Sequence, residues 1–299
     1  MPELPEVETI RLGLQKYLVG HKIVGVDVKL KRIFTGSAKQ IIGAKITGVE
    51  RFGKGLVINL DNGFCIAVHI KLTGQLIYND LAFVRNRNIH LSQDKVGTLP
   101  NKFTHVIFNL DKDAKLYYND IRQFGWIKII KREDLKTLSF FKDLGPEPLP
   151  SSGQAPLTFE QFKNILSKSA LSVKVLIMDQ KRIGGVGNIY ANDALFLAGI
   201  DPRKKAKEVT KNEAKKLFNA ILTVLKNGLK YGGASELTFV NAIGEEGSYQ
   251  NHFLAYGKKG EKCSVCGRRL GGTSGPEGAI IQKIFLGGRG TFFCPKHQK

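Results

Sequence analysis

Apolar residues at Val7, Ile10, Leu14 and Leu18 recur at helical spacing, and Pro5 suits a first helical turn. The chain is therefore predicted to open on a helix. From about residue 23 to 130 the pattern changes to short apolar runs separated by turn residues, with Asp61-Asn62-Gly63 as a hairpin signal between runs 56–60 and 64–70. That half reads as a β-sandwich or barrel. Residues 144–157 are rich in proline and small polar residues, which marks a linker. Helical spacing then returns. Thr158-x-x-Gln161 resembles a capping box opening a helix with Phe159, Phe162, Ile165 and Leu166 inward, and Thr210-x-x-Glu213 opens another containing Leu217, Ile221 and Leu225. From about Tyr249 the chain returns to short apolar pieces and glycines around cysteines. The expected class is α+β, without internal repeats.

At 299 residues the chain accommodates two ordinary domains and a sizeable core. It has no run of 18 apolar residues, and its acidic start lacks the basic and apolar regions of a signal peptide, so a soluble intracellular protein is expected. Four cysteines, two of them in one C-x-x-C, argue for a reducing compartment. The formal charge of +20 changes the picture most, because it calls for a polyanionic partner. Nucleic acid leads. A membrane surface would need a basic amphipathic helix with bulky apolar residues opposite, and none stands out.

Three motifs could carry chemistry. If Met1 is removed, Pro2 presents a secondary amine able to form an iminium with an aldehyde-like carbon. An ordinary α-amino group has a pKa of about 7.7–8.0, and the positive end of the helix behind it disfavours the ammonium while favouring carboxylates at Glu3 and Glu6. A plain acidic helix cap explains the same residues. Cys263-x-x-Cys266 and Cys294-x-x-His297, separated by the 27 residues 267–293, suit a closed tetrahedral zinc site in which all four positions are protein. Such an ion would fold the tail rather than catalyse. Cys65, in an apolar run, reads as core. Finally, Gly184, Gly185 and Gly187 precede a helix start at Asn188-Ile189-Tyr190, where backbone N–H groups can approach a phosphate. A plain helix-helix turn is the alternative there.

Several of these segments are recognisable together. Pro2-Glu3-Leu4-Pro5-Glu6-Val7-Glu8, Leu144-Gly145-Pro146-Glu147-Pro148-Leu149, Gly185-Val186-Gly187-Asn188-Ile189-Tyr190-Ala191-Asn192 and Ala255-Tyr256-Gly257 before the cysteine tail resemble bacterial formamidopyrimidine-DNA glycosylase from end to end. Leu4 favours this family over the related endonuclease VIII, which usually has glycine there. The resemblance implies a bifunctional DNA glycosylase/AP lyase that excises oxidised purines, chiefly 8-oxoguanine and formamidopyrimidines, from duplex DNA. It implies an N-terminal β-sandwich domain at 1–133, a linker at 134–157, a helix-two-turn-helix domain with a lesion-capping loop at 158–248 and a zinc-finger hairpin at 249–299. The protein is expected to be a monomer in the bacterial cytoplasm, associated with DNA carrying oxidised bases or abasic sites, with one structural zinc ion and no membrane partner.

By the same resemblance Pro2 is the nucleophile at C1′, Glu3 handles protons during ring opening and elimination, Glu6 supports it, and Lys54 is the β-turn lysine. Lys174, Asn188 and Arg289 fall where the family binds phosphate or carries a functional lysine. Arg122 and Phe124 are two of the three residues that fill the space left by the extruded base. Leu72 stands where the family has methionine and keeps an apolar wedge of similar volume. His297 replaces the family's fourth zinc cysteine, and the spacer of 27 exceeds the family's usual sixteen by 11, placed here in Leu270 to Gly278. The capping segment 232–250 also differs in its interior, which bears on lesion choice. An endonuclease VIII-like preference for oxidised pyrimidines and a non-catalytic zinc-dependent DNA-binding protein are the two competing readings.

Overall fold

Residues 1–80, 91–151, 154–266 and 279–299 are described by the computed structural model. The chain divides into two compact units, the first comprising Met1–Asp143, Ser151–Gln154 and Gly228–Gln250, the second the rest. Helix α1, Leu4–Tyr17, leads the first unit and ends its prolyl start in a capping box formed by Glu3 and Glu6. Among the described residues nine strands follow: β1 Ile23–Val28, β2 Phe34–Thr35, β3 Ile46–Phe52, β4 Gly55–Leu60, β5 Phe64–His69, β6 Gly74–Asn79, β7 Thr104–Leu110, β8 Lys115–Asp120 and β9 Trp126–Lys131. They form a four-stranded sheet, β1-β7-β8-β6, and a five-stranded sheet, β2-β9-β5-β4-β3. The predicted hairpin is β4–β5, and its turn works because Gly63 takes φ +82° and Asn62 Oδ1 accepts the Phe64 N–H.

The sandwich follows from alternation. Leu56, Ile58, Ile66 and Val68 face a core shared with Val106, Phe108, Leu116 and Tyr118 of the other sheet and with Val7, Ile10 and Leu14 of α1. Val57, Cys65 and Ala67 point the other way into a smaller cluster with Leu135, partly covered by Phe141 of the short helix α2, Ser139–Lys142. Both faces of β4 and β5 are thus buried, which explains their nearly unbroken apolar sequence. Burial pushes the Cys65 thiol up to about 11, in keeping with a core residue. Residues 228–250 join this unit rather than the helical one because Phe239 and Ala242 complete its core, with Ala242 packed where a side chain at Gly13 would stand.

In the second unit, α3, Phe159–Ser167, begins with the expected Thr158–Gln161 capping box. Helix α4, Val173–Ile177, and helix α5, Asn188–Ala198, follow, then α6, Lys211–Lys230, whose start is held by reciprocal Thr210 and Glu213 bonds. Every residue from Ile189 to Phe196 is buried, so α5 is the central helix of its unit. Strands β10, Gln282–Leu286, and β11, Arg289–Phe293, close a hairpin over Gly287 and Gly288, both at positive φ as a two-residue primed turn requires. No described helix is long and apolar enough to cross a membrane.

Candidate nucleic-acid interface and catalytic residues

Pro2 and Glu3 are buried at the N-terminal end of α1, beneath an exposed Met1. Both oxygens of Glu6 are committed to backbone: Oε2 accepts the Glu3 N–H at 2.7 Å and Oε1 accepts the Ala234 N–H at 2.8 Å. Glu6 therefore ties the residue beside Pro2 to the 228–250 segment. A Cβ at Gly233 would meet Glu6 Cγ at 2.9 Å, which accounts for the glycine there. The Glu3 carboxylate in turn accepts the Glu6 N–H in the capping box, so it is held at the start of α1, next to Pro2 in sequence.

Lys54 occupies the two-residue turn between β3 and β4 and is only 4% exposed. Its position is fixed by a buried arginine that sequence reasoning did not single out. Arg51 Nε donates to Glu8 Oε2 at 2.7 Å while its Nη1 donates to the Gly53 carbonyl at 2.9 Å, linking α1 directly to the residue before Lys54. Arg51 was missed because an arginine in a strand next to a basic turn looks solvated from sequence alone. Lys54 and Lys71 both bear on His69, which burial, followed by these two charges, lowers to about 3. The ring is consequently neutral, and its Nδ1 accepts the Lys71 N–H at 3.0 Å, supporting Lys71 at φ +51° immediately before Leu72.

Leu72 is half-buried, while Arg122 and Phe124 are exposed, Phe124 by 54%. The Arg122 guanidinium lies 4.8 Å from the centre of the Phe124 ring, a cation–π pair standing clear of the sheet. These three side chains come from two loops at the same end of the first unit, after β5 and after β8.

The second unit gathers the other predicted group. Asn188 begins α5 after the turn of Gly184, Gly185 and Gly187, and Gln180 braces that turn by donating to the Val186 carbonyl and accepting from the Gly185 N–H. Lys174 is not at the surface. It is 0% exposed, and its Nζ donates to Asn188 Oδ1 at 2.8 Å, the Gly290 carbonyl at 2.9 Å and Thr291 Oγ1 at 2.7 Å. Whatever it contributes to phosphate binding passes through Asn188 and the hairpin. Arg289 itself is exposed at the hairpin tip, one residue from the Gly290 carbonyl that Lys174 holds. Asn192, a turn further along α5, accepts the Phe292 N–H at 2.7 Å and so clips the hairpin to the same helix. Its burial in a helical run gave no signal of that task.

Three of the four expected metal ligands converge. The Sγ atoms of Cys263, Cys266 and Cys294 lie within 4.8 Å of one another, with Cys266 and Cys294 3.6 Å apart. Zn–S bonds of about 2.3 Å in a tetrahedron separate sulfurs by about 3.8 Å, so the spacing suits a zinc ion. Burial pushes the Cys294 thiol up to about 11, whereas at Cys266 the Ala279 N–H and the neighbouring sulfurs outweigh burial and draw the thiol below its ordinary value. His297 stands outside this group: its Nε2 bonds the Phe196 carbonyl at 2.8 Å, and its ring packs on Phe196. That bond places the proton on Nε2 and leaves Nδ1 with a lone pair, the arrangement found in histidines that ligate metals. The expected insertion, Leu270 to Gly278, lies outside the described residues.

Residues 1–127 match the family model for the formamidopyrimidine-DNA glycosylase N-terminal domain, and residues 144–240 that for its H2TH domain. A formamidopyrimidine-DNA glycosylase of Pelotomaculum thermopropionicum is 37% identical over 100% of this chain and 99% of its own. The chain belongs to the formamidopyrimidine-DNA glycosylase family. The Streptococcus mutans glycosylase is 33% identical over the full length of both chains. Among solved structures, a Lactococcus lactis glycosylase in complex with DNA containing an abasic site matches at a TM-score of 0.83 and 32% identity over 99% of each chain. A mutant of that glycosylase with Fapy-dG-containing DNA matches equally well over 100% of each. The α+β arrangement of sandwich, helices and hairpin is thus the glycosylase fold, and the chain is an enzyme of that class.

Proposed function

We propose that this glycosylase excises oxidised purines from duplex DNA and then cuts the strand through a covalent intermediate on Pro2. The observation that carries the reading is Pro2 buried at the positive end of α1, with Glu3 beside it and Glu6 tying the Glu3 N–H to that of Ala234. Once Met1 is removed, the Pro2 nitrogen attacks C1′; the bond from C1′ to the base breaks, and the base leaves with a proton. Glu3 protonates the ring oxygen as the sugar opens to the iminium. The iminium acidifies a C2′ proton, whose removal expels the 3′ phosphate; the conjugated imine that results acidifies the C4′ proton, whose removal expels the 5′ phosphate and leaves a one-nucleotide gap. Lys54 is assigned the phosphate beside the lesion, a role that rests on its match to the family's β-turn lysine. Leu72, Arg122 and Phe124 fill the vacated stack, and Asn188 and Arg289 bind backbone phosphates.

The formal charge of +20 supports tight, salt-sensitive binding to duplex DNA, and a cytoplasmic location follows from that substrate. Borohydride reduction in the presence of 8-oxoguanine paired with cytosine is expected to yield a covalent protein–DNA adduct and a gapped strand. Exclusive adduct formation with a thymine glycol duplex instead would transfer the enzyme to the pyrimidine-specific side of the superfamily. Binding without any adduct would leave a DNA-binding protein lacking catalysis.

The cysteine group supports one zinc ion held by Cys263, Cys266, Cys294 and Nδ1 of His297. Zinc supplies folding energy to the hairpin that carries Arg289. Metal analysis is expected to give one zinc per chain, and His297→Ala is expected to keep the fold but weaken zinc retention against a chelator by about 10- to 100-fold. Stoichiometric zinc at unchanged affinity in that variant removes His297 from the ligand set.

A further inference from the structure

The two loops that carry the wedge residues share one acceptor. Asp120, the last residue of β8, is 0% exposed. Its Oδ2 accepts the Gly125 N–H at 2.8 Å and the Tyr118 hydroxyl at 3.3 Å, and its Oδ1 accepts the Thr73 hydroxyl. Thr73 Oγ1 in turn accepts the Arg122 N–H at 2.9 Å. The backbone of Asp120 is pinned as well, its N–H on the Phe103 carbonyl and its carbonyl on His105 Nε2. Each wedge is therefore anchored at itself or at its neighbour: Leu72 through the Thr73 hydroxyl, Arg122 through its N–H, Phe124 through the Gly125 N–H.

The chemistry of the junction selects these residue types. A carboxylate is an acceptor only, with lone pairs for donors arriving from opposite loops; an amide would turn a donor towards one of them. A hydroxyl at position 73 can donate to Asp120 and accept from Arg122 at once. Gly125 allows the approach, because a Cβ there would lie 1.8 Å from the Tyr118 hydroxyl and 2.8 Å from the His69 carbonyl.

We infer that Asp120, acting through Thr73, is a positioning residue that holds Leu72, Arg122 and Phe124 in the arrangement needed to enter the base stack. The inference rests on the insertion reading above. Opening a base step costs unstacking free energy, and a wedge whose loops must first be ordered delivers less of its contact energy to that task.

Thr73→Val removes the hydroxyl at constant shape, Thr73→Ser restores it, and Asp120→Asn alters the acceptor. Single-turnover excision from an 8-oxoguanine duplex is compared with strand cleavage at an abasic site in single-stranded DNA, where no base has to be displaced. A 2-aminopurine next to the lesion reports unstacking by fluorescence. Thr73→Val is expected to slow duplex excision about 10- to 100-fold and to depress the fluorescence rise, while single-strand cleavage stays within about threefold of wild type. Thr73→Ser is expected to recover most of the duplex rate, and Asp120→Asn to show the same substrate split as Thr73→Val. Duplex excision at the wild-type rate in Thr73→Val overturns the inference, as does parallel loss on both substrates, which marks a purely structural role. A wild-type protein inactive on both substrates refutes the glycosylase reading itself and carries the inference down with it.

Discussion

A protein carrying even one uncleaved residue before Pro2 is expected to form no borohydride-trapped adduct with lesion-containing DNA, a loss of at least about a thousandfold. Within a peptide bond the proline nitrogen is an amide whose lone pair is delocalised, so it cannot attack C1′. A new terminal amine would lie about 3.6 Å further along the chain for each added residue, away from the buried end of α1 where Glu3 stands. The residues proposed to enter the base stack and to bind phosphate lie elsewhere in the chain, so DNA affinity is expected to change by less than about threefold. Mass analysis of the mature N-terminus, equilibrium binding and trapping on the same preparation check this together. Adduct formation by the extended protein at the wild-type rate removes Pro2 as the nucleophile.

The second large effect is expected from Lys174→Met. The side chain of Lys174 satisfies acceptors on Asn188, Gly290 and Thr291, so methionine of similar length fills the space but leaves all three without that donor. Each buried acceptor left unpaired costs about 1–3 kcal/mol, offset in part because a charge no longer has to be buried. Loss of the lysine frees the Asn188 amide and the residue beside Arg289 in one step. DNA affinity is expected to fall about 10- to 100-fold, and the slope of log affinity against log salt to flatten by about one to two, because phosphate contacts are lost. The melting midpoint is expected to drop by about 5 °C. Unchanged affinity with an unchanged salt slope would show that Lys174 serves the fold alone.

Much of this was legible along the chain. The opening helix, the Asp61-Asn62-Gly63 hairpin and both capping boxes are local, set by a few neighbouring residues whose conformational preferences agree with the final fold. The paired apolar runs gave the sandwich its strands but not their order, because β9 pairs with β5 and β2 across long stretches of sequence. The cysteine pairs announced a metal site by spacing. Their geometry gathers three sulfurs and shows His297 engaged with the Phe196 carbonyl, a partner 101 positions away that no local pattern could disclose.

The family-like motifs named the residues expected to act, and the physical chemistry of a terminal amine, a glycine turn and a large positive charge gave each of them a task. That much the sequence determined by itself, since reactivity and charge belong to residue types and survive without coordinates. What holds those residues was decided only in three dimensions: Glu6 on Ala234, Arg51 between Glu8 and Gly53, Lys174 between α5 and the hairpin, Asp120 between the two wedge loops. All four are charged residues that a linear reading assigns to solvent or chemistry. Burial reverses that assignment, because a charge removed from water is stable only where fixed donors or acceptors replace the water, and those partners arrive from distant parts of the chain.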